Sequence, residues 1–390
     1  MVETGMLTRM ADVRGSYDRS FVAVPEALSV SLDEFGGGAS VAVFVGGEPV
    51  VDVWGGFTDA GRSVPWQRDT ITNVWSVTKT VTALCALVLT DRGDLDFDAP
   101  VARYWPEFAA EGKEGVLVRH VLSHTAGLPS PAGGTSAADC YDWDGITRRL
   151  AAQATAWEPG TAAGYHSLTQ GFLIGEVMRR ITGRTVGAFL ADEVAGPLGA
   201  DFHIVLPPRL DRRVAPSLPP PQHTEDFTAS AAGGSAREAD AVGGIRVRDG
   251  NSTAWRRAQI PAANGIGNAR SVALLLSAMA CGGTVQGTRL LSETTRDRAL
   301  EIQYRGEDRV LGTPVAYGLG FGAFGRSFGW GGWGGSLAMF EPDTRTSVAY
   351  VTNQMLDLVD DDRGMEIMMA SYDGVEALTR RGGLPTPREC

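Results

Sequence analysis

Lysine is almost missing from this chain. Only Lys79 and Lys113 occur in 390 residues; the remaining basic side chains are arginine. Cysteine is scarce too, and Cys85, Cys140, Cys281 and Cys390 lie far apart with no metal-ligand spacing. They read as free thiols of a reducing compartment. The five histidines (120, 124, 166, 203 and 223) form no HExxH or similar pattern, so no metal site is expected. No P-loop, Rossmann glycine fingerprint or G-x-S-x-G elbow stands in strand–helix context, and no cofactor is expected. No apolar run approaches the ~20 residues of a membrane span. Met1 to Ser20 holds acids and arginines without an apolar stretch, so the expectation is a cytoplasmic protein with no membrane partner. Positive charge is also short: the formal net charge is −11 and the pI about 5.0, which leaves no basic face for a nucleic acid.

What is present is average for a soluble protein, with 43% hydrophobic and 21% charged residues, apart from a high count of 50 glycines. The length fits one large domain, or two lobes sharing a site, over residues 1–390. Residues 39–45 and 50–54 read as a hairpin around Gly46-Gly47-Glu48-Pro49. Val77 to Thr90 has helical apolar spacing on all sides, which predicts a helix buried almost all round, with Gly93 as its stop. Leu168–Ile181 is a second apolar helix ended by Gly183. Residues 205–255 lack periodicity and read as long loops. A short helix covers 271–280. Strand patterns return at 317–321, 327–330, 336–340 and 347–352, and a helix over about 362–380 closes the chain. The order predicts an α/β (α+β) fold: an antiparallel sheet drawn from both ends (about 20–70 and 258–390) and flanked by helices, plus a mostly helical lobe (about 71–257), with the site in the cleft between them.

Three motifs carry chemistry. In Ser76-Val77-Thr78-Lys79, positions i and i+3 share one helix face. A serine hydroxyl needs an adjacent base, and a lysine buried in an apolar helix loses its proton readily. An arginine-rich chain that keeps a lysine here keeps a titratable amine where a guanidinium cannot serve. In Tyr165-His166-Ser167, a tyrosine at a helix start can reach a cleft as general base; read alone, these residues favour a buried tyrosine followed by an N-cap serine. Trp330-Gly331-Gly332-Trp333-Gly334-Gly335-Ser336 is a strand whose glycines admit a close backbone or ligand, or a tight bulge. His124, in Ser123-His124-Thr125-Ala126-Gly127, is read as a structural hydrogen-bonder rather than a triad member.

The order of Ser76-x-x-Lys79, SHTAGLP, EPG followed by Tyr165-x-Ser167, PAANGIGNAR (261–270) and WGGWGGS resembles the serine β-lactamase and penicillin-binding-protein-like superfamily. Within it the chain is similar to the family VIII carboxylesterases, which are related to class C β-lactamases. The resemblance runs from about residue 20 to 385. It implies the β-lactamase/transpeptidase-like fold and an acyl-enzyme on Ser76, with Lys79 and Tyr165 sharing proton transfer. The backbone N–H groups of Ser76 and Trp333 would then form the oxyanion hole, and Trp330, Gly331, Gly332, Ser167, His166 and Trp75 would line the substrate. Two departures stand out. Ser167 takes the place of an Asn, and Trp330 takes the place of the Lys in Lys-Thr-Gly that helps hold a substrate carboxylate. Loss of that cation disfavours anionic β-lactams and D-Ala-D-Ala and favours neutral, apolar acyl groups. The expected activity is hydrolysis of carboxylic esters, or of amides, of a small-molecule substrate. The alternatives are acyl transfer to a hydroxyl or amine, a β-lactamase or peptidase, and a non-catalytic binding member of the superfamily. Oligomeric state is left open.

Overall fold

The structure, a computed structural model, describes residues 11–226, 228, 244–356 and 361–382. Its centre is a nine-stranded sheet, antiparallel throughout. The strands are β1 (Val13–Tyr17), β2 (Gly38–Val45), β3 (Glu48–Gly56), β4 (Tyr304–Glu307), β5 (Pro314–Tyr317), β6 (Gly322–Phe324), β7 (Ser327–Gly331), β8 (Leu337–Glu341) and β9 (Thr346–Thr352). Their spatial order is β1-β3-β2-β9-β8-β7-β6-β5-β4. Strands from the two ends of the chain meet at the β2–β9 pair, where Val41 faces Tyr350 across the ladder.

Every residue of β2 is buried because both sheet faces are covered. Successive side chains of a strand point to opposite faces. Ala42 and Phe44 belong to the core on one side, with helix Ala269–Ala280. Val41, Val43 and Val45 belong to the core on the other, with helix α1 (Ala23–Phe35) and the closing helix Arg363–Arg380. The larger core continues into the helical segments between residues 74 and 300. At its middle runs α2 (Thr78–Asp91), buried from Thr78 to Leu89. Helix α3 (Thr169–Thr182) packs against it and stops at Gly183, whose φ of 70° is the left-handed cap the sequence predicts.

One strand expectation is corrected. Residues 317–321 are not a strand: β5 ends at Tyr317 and β6 begins at Gly322. Between them the chain turns, with Gly320 at φ 90° and so close to α2 that a Cβ there would lie 2.3 Å from the Ala83 side chain. Of the 205–255 stretch, residues 227 and 229–243 lie outside the described residues. The rest holds a 3₁₀ turn (Pro208–Arg213) and two short helices (Val247–Gly250 and Thr253–Arg257). Trp255 is buried in the core, and with Ile245 it brings this stretch to the cleft. Cys85 and Cys140 are buried free thiols, and burial pushes both up, away from thiolate. Cys390 lies outside the described residues. Among the described residues no helix is long and apolar enough to cross a membrane, and no three His, Cys, Asp or Glu side chains gather as a metal site would need.

Candidate active site

Ser76 sits in a single 3₁₀ turn, Trp75–Val77, that feeds directly into α2. The turn begins with Trp75 in the left-handed region at φ 49°, a strained backbone for a bulky residue. Its surroundings hold it there. The Trp75 indole packs edge-on to Trp333 (ring centroids 4.7 Å) and tilted on Trp255 (5.5 Å). The Trp75 carbonyl accepts from the Thr78 hydroxyl, which in turn accepts from the Gly265 N–H (2.8 Å). The Val74 N–H donates to the Gly265 carbonyl (2.9 Å).

Two polar tips converge on Ser76 in this turn. Lys79 Nζ donates to Ser76 Oγ at 3.1 Å and to the Ala262 carbonyl at 3.0 Å. Tyr165 OH stands 2.9 Å from Ser76 Oγ as a donor. The Lys79 amine also lies 4.8 Å from the centre of the Tyr165 ring. Burial holds Lys79 well below the usual lysine range. Neither of its hydrogen-bond partners is a carboxylate, so no opposite charge there offsets the burial.

Trp330 completes the arrangement. Its Nε1–H donates to Tyr165 OH at 3.0 Å. Its ring stacks on Tyr165 (5.3 Å, 20°) and on Tyr317 (5.6 Å, 27°). Trp330 is therefore bonded to the phenol beside Ser76 as well as walling the cleft. β7, which carries Trp330, runs on to Gly332, where a Cβ would lie 2.3 Å from the Val74 carbonyl. That missing side chain lets the strand end press against the turn holding Ser76.

In front of Ser76 opens a cavity of about 370 Å³. Trp75, Tyr165, Ser167, Trp255, Trp330, Gly331, Gly332 and Trp333 wall it, with Leu168, Ile245, Leu311 and Phe324 completing an apolar lining. No charged side chain appears among its described lining residues.

The Beta-lactamase family matches this chain over residues 32–368, which takes in α2, α3 and all of the strands but β1. The chain belongs to that family. Esterase/beta-lactamase LipL of Mycobacterium tuberculosis is 36% identical to it over 370 residues, covering 88% of this chain and 83% of that protein. A crystal structure of a family VIII carboxylesterase superposes with a TM-score of 0.86 at 38% identity, covering 93% of this chain and 100% of the other. A penicillin-binding-protein homolog from Caulobacter crescentus gives a TM-score of 0.84 at 36% identity over 93% and 100% of the two chains.

Within this β-lactamase-family site, most of the residues singled out by sequence do gather. His166 does not. It is wholly buried, its Nε2 accepts from the Leu128 N–H (3.0 Å), and its Nδ1 lies 2.6 Å from the Gly164 carbonyl. It points away from the cleft, toward the SHTAGLP loop, while its neighbours Tyr165 and Ser167 line the cavity. Ser167 reaches the cavity but is not a partner of Lys79 among the described residues; the Ala262 carbonyl is. His124 is structural, as read: its Nδ1 accepts from the His166 N–H (3.0 Å), and its ring packs on Tyr165, Tyr317 and Trp330. Sequence reasoning missed the work of segment 261–265. Its backbone receives Lys79 at Ala262 and Thr82 at Pro261, and joins Thr78 and Val74 through Gly265. Backbone acceptors leave no mark on side-chain identity.

Proposed function

We propose that this protein is a serine hydrolase that cleaves carboxylic esters of neutral, apolar acids through an acyl-enzyme on Ser76. The convergence of Lys79 Nζ and Tyr165 OH on Ser76 Oγ, at 3.1 and 2.9 Å, carries the reading. Ser76 Oγ attacks the ester carbonyl and its proton passes to the Tyr165–Lys79 pair, where burial makes the amine readier to give up its own proton and so to act as base. The tetrahedral oxyanion is held by the backbone N–H groups of Ser76 and Trp333. Collapse breaks the C–O bond to the leaving alcohol, which takes the proton from the same pair. Water then attacks the acyl-enzyme, with Tyr165–Lys79 again taking the proton, and releases the acid and Ser76.

The charge-free lining supports neutral substrates, since a β-lactam or peptide carboxylate would be buried there without a cation. The names of the relatives, Esterase/beta-lactamase LipL and a family VIII carboxylesterase, both include ester hydrolysis, and the first includes β-lactam hydrolysis as well. The test is hydrolysis of p-nitrophenyl acetate and butyrate. Turnover that vanishes in Ser76→Ala is expected; turnover unchanged in that variant overturns the proposal. Acyl transfer uses the same acyl-enzyme, and ester product formed faster than acid in dilute competing alcohol would replace the hydrolase with a transferase.

A further inference from the structure

Asp308 lies outside every motif, 143 residues from Tyr165 in sequence, yet it is fully buried directly behind the site. Its Oδ1 accepts from the N–H groups of Tyr165 (3.0 Å), Val310 (2.8 Å) and Leu311 (2.9 Å). Its Oδ2 accepts from the Tyr317 hydroxyl (2.8 Å). The chain on either side is tied to the same place, since the Arg309 N–H donates to the Ala163 carbonyl (2.9 Å). One carboxylate thus grips the backbone of the first ring of the Tyr165–Trp330–Tyr317 stack and the phenol of the third. Trp330, the middle ring, is the one whose Nε1–H meets Tyr165 OH. Burial and the adjacent carboxylate push the Tyr317 phenol up, so it stays a neutral donor to Asp308.

We infer that Asp308 is a positioning residue for the Ser76–Tyr165 pair, acting through both ends of this ring stack. The inference rests on the hydrolase reading above. Asp308 touches neither substrate nor Ser76. Its carboxylate fixes where the Tyr165 main chain enters the cleft and how far Tyr317 presses Trp330 toward the phenol oxygen. A displacement of about 1 Å at such a contact can cost about a hundredfold in rate without weakening substrate binding. A carboxylate suits the task because both oxygens accept. An asparagine would keep one acceptor for the three amides but turn an N–H₂ group toward Tyr317.

The test compares Asp308→Ala, Asp308→Asn and Tyr317→Phe with the parent, using p-nitrophenyl butyrate turnover and the rate at which a fluorophosphonate labels Ser76. All rates are normalised to titrated active sites. The expected result is a loss of about 100-fold in kcat and in labelling rate for Asp308→Ala, with KM within about twofold. Asp308→Asn should recover most of that loss, and Tyr317→Phe should fall about tenfold. A purely structural Asp308 would lower thermal stability and leave these normalised rates alone, and rates within twofold of the parent in Asp308→Ala and Tyr317→Phe overturn the inference. If Asp308→Ala does not fold, Tyr317→Phe decides. A parent that labels at Ser76 but turns over no ester sinks the hydrolase reading, while the labelling rates still judge Asp308.

Discussion

At the scale of single residues, the two lysines make an instructive pair. Both are buried, and burial lowers both. Lys113 is surrounded by the carbonyls of Ala110 (2.7 Å), Ala151 (2.9 Å) and Gln153, a cage that uses all of its donors. Lys79 meets one carbonyl and one hydroxyl, and the hydroxyl is that of Ser76. Lys113 is bound up in structure, whereas the proposed mechanism gives Lys79 the chemistry. Because the folded-state pKa of Lys79 lies below its unfolded value, the unfolded chain binds a proton that the folded chain refuses. Lys79 therefore subtracts stability at neutral pH, and the deficit fades as the pH climbs toward the unfolded lysine value. Lys79→Met should abolish ester turnover while its melting temperature at pH 7 stays at or above that of the parent. Lys113→Met should do the reverse, losing about 1–3 kcal/mol as buried carbonyls lose their donor while kcat per titrated site persists. Calorimetry and the p-nitrophenyl assay on both variants check the pair; a Lys79→Met protein clearly less stable than the parent would show that burial costs little here. Trp330→Phe belongs to the same scale. It keeps a smaller aromatic wall and removes the N–H that meets Tyr165 OH, a contact that strengthens as negative charge builds on the phenol. A fall of about tenfold or more in kcat at similar KM is expected, and unchanged kcat would reduce Trp330 to a wall.

At the scale of elements, the site is a junction between the end of β7 and the turn before α2. Gly331 and Gly332 are neighbours with opposite surroundings. A Cβ on Gly331 would meet its nearest heavy atom, the Ser336 carbonyl oxygen, only at 4.0 Å, whereas one on Gly332 would lie 2.3 Å from the Val74 carbonyl. Gly332→Ala must push β7 off the turn, and a loss of about 1–3 kcal/mol together with most of the activity is expected. Gly331→Ala should leave the melting temperature within a degree or two. Equal thermal behaviour of the two variants, by scanning calorimetry, would show that the strand and the turn are not in register as described. The same junction shows what the sequence could reveal. A serine and a lysine one turn apart on an apolar helix are visible because helix period fixes their distance. Tyr165 had a motif but no measure of its distance from Ser76, which depends on how α3 packs on α2. Asp308 had neither. Its value comes from backbone N–H groups brought together across 143 residues, and every sequence supplies those groups at every position.

At the scale of the molecule, the sheet was legible where apolar runs bounded by turn residues form strands covered on both faces, as in β2 and β9. It was not legible at 317–321, where an apolar run (Tyr317, Leu319 and Phe321) imitates a strand but two glycines turn it over α2. Burial on this scale also fixes how the whole fold responds to acid. His120, His124 and His166 are held neutral by burial: His120 and His166 are lowered to about 4, and His124 well below its usual value, helped by its neighbours His166 and Lys79. Each ring serves as an acceptor in the fold, His120 toward the Leu117 N–H, His124 toward the His166 N–H and His166 toward the Leu128 N–H. An imidazolium cannot accept. In the unfolded chain all three bind a proton near pH 6.5. As the pH falls below 6.5 the unfolded state takes up protons that the native state cannot, so stability is lost progressively from about pH 6.5 down to about 4. The fully buried His166 alone contributes on the order of 3 kcal/mol to that loss. The carboxylates with lowered pKa, such as Asp201 and Glu176, stay ionised in this window and add their loss only at lower pH. The urea midpoint should therefore drop steeply between pH 7 and pH 5, before carboxylate protonation begins in earnest. A midpoint that holds steady over that interval would mean that the histidine cluster behind Tyr165 accepts protons in place, and that the rings are not locked as acceptors.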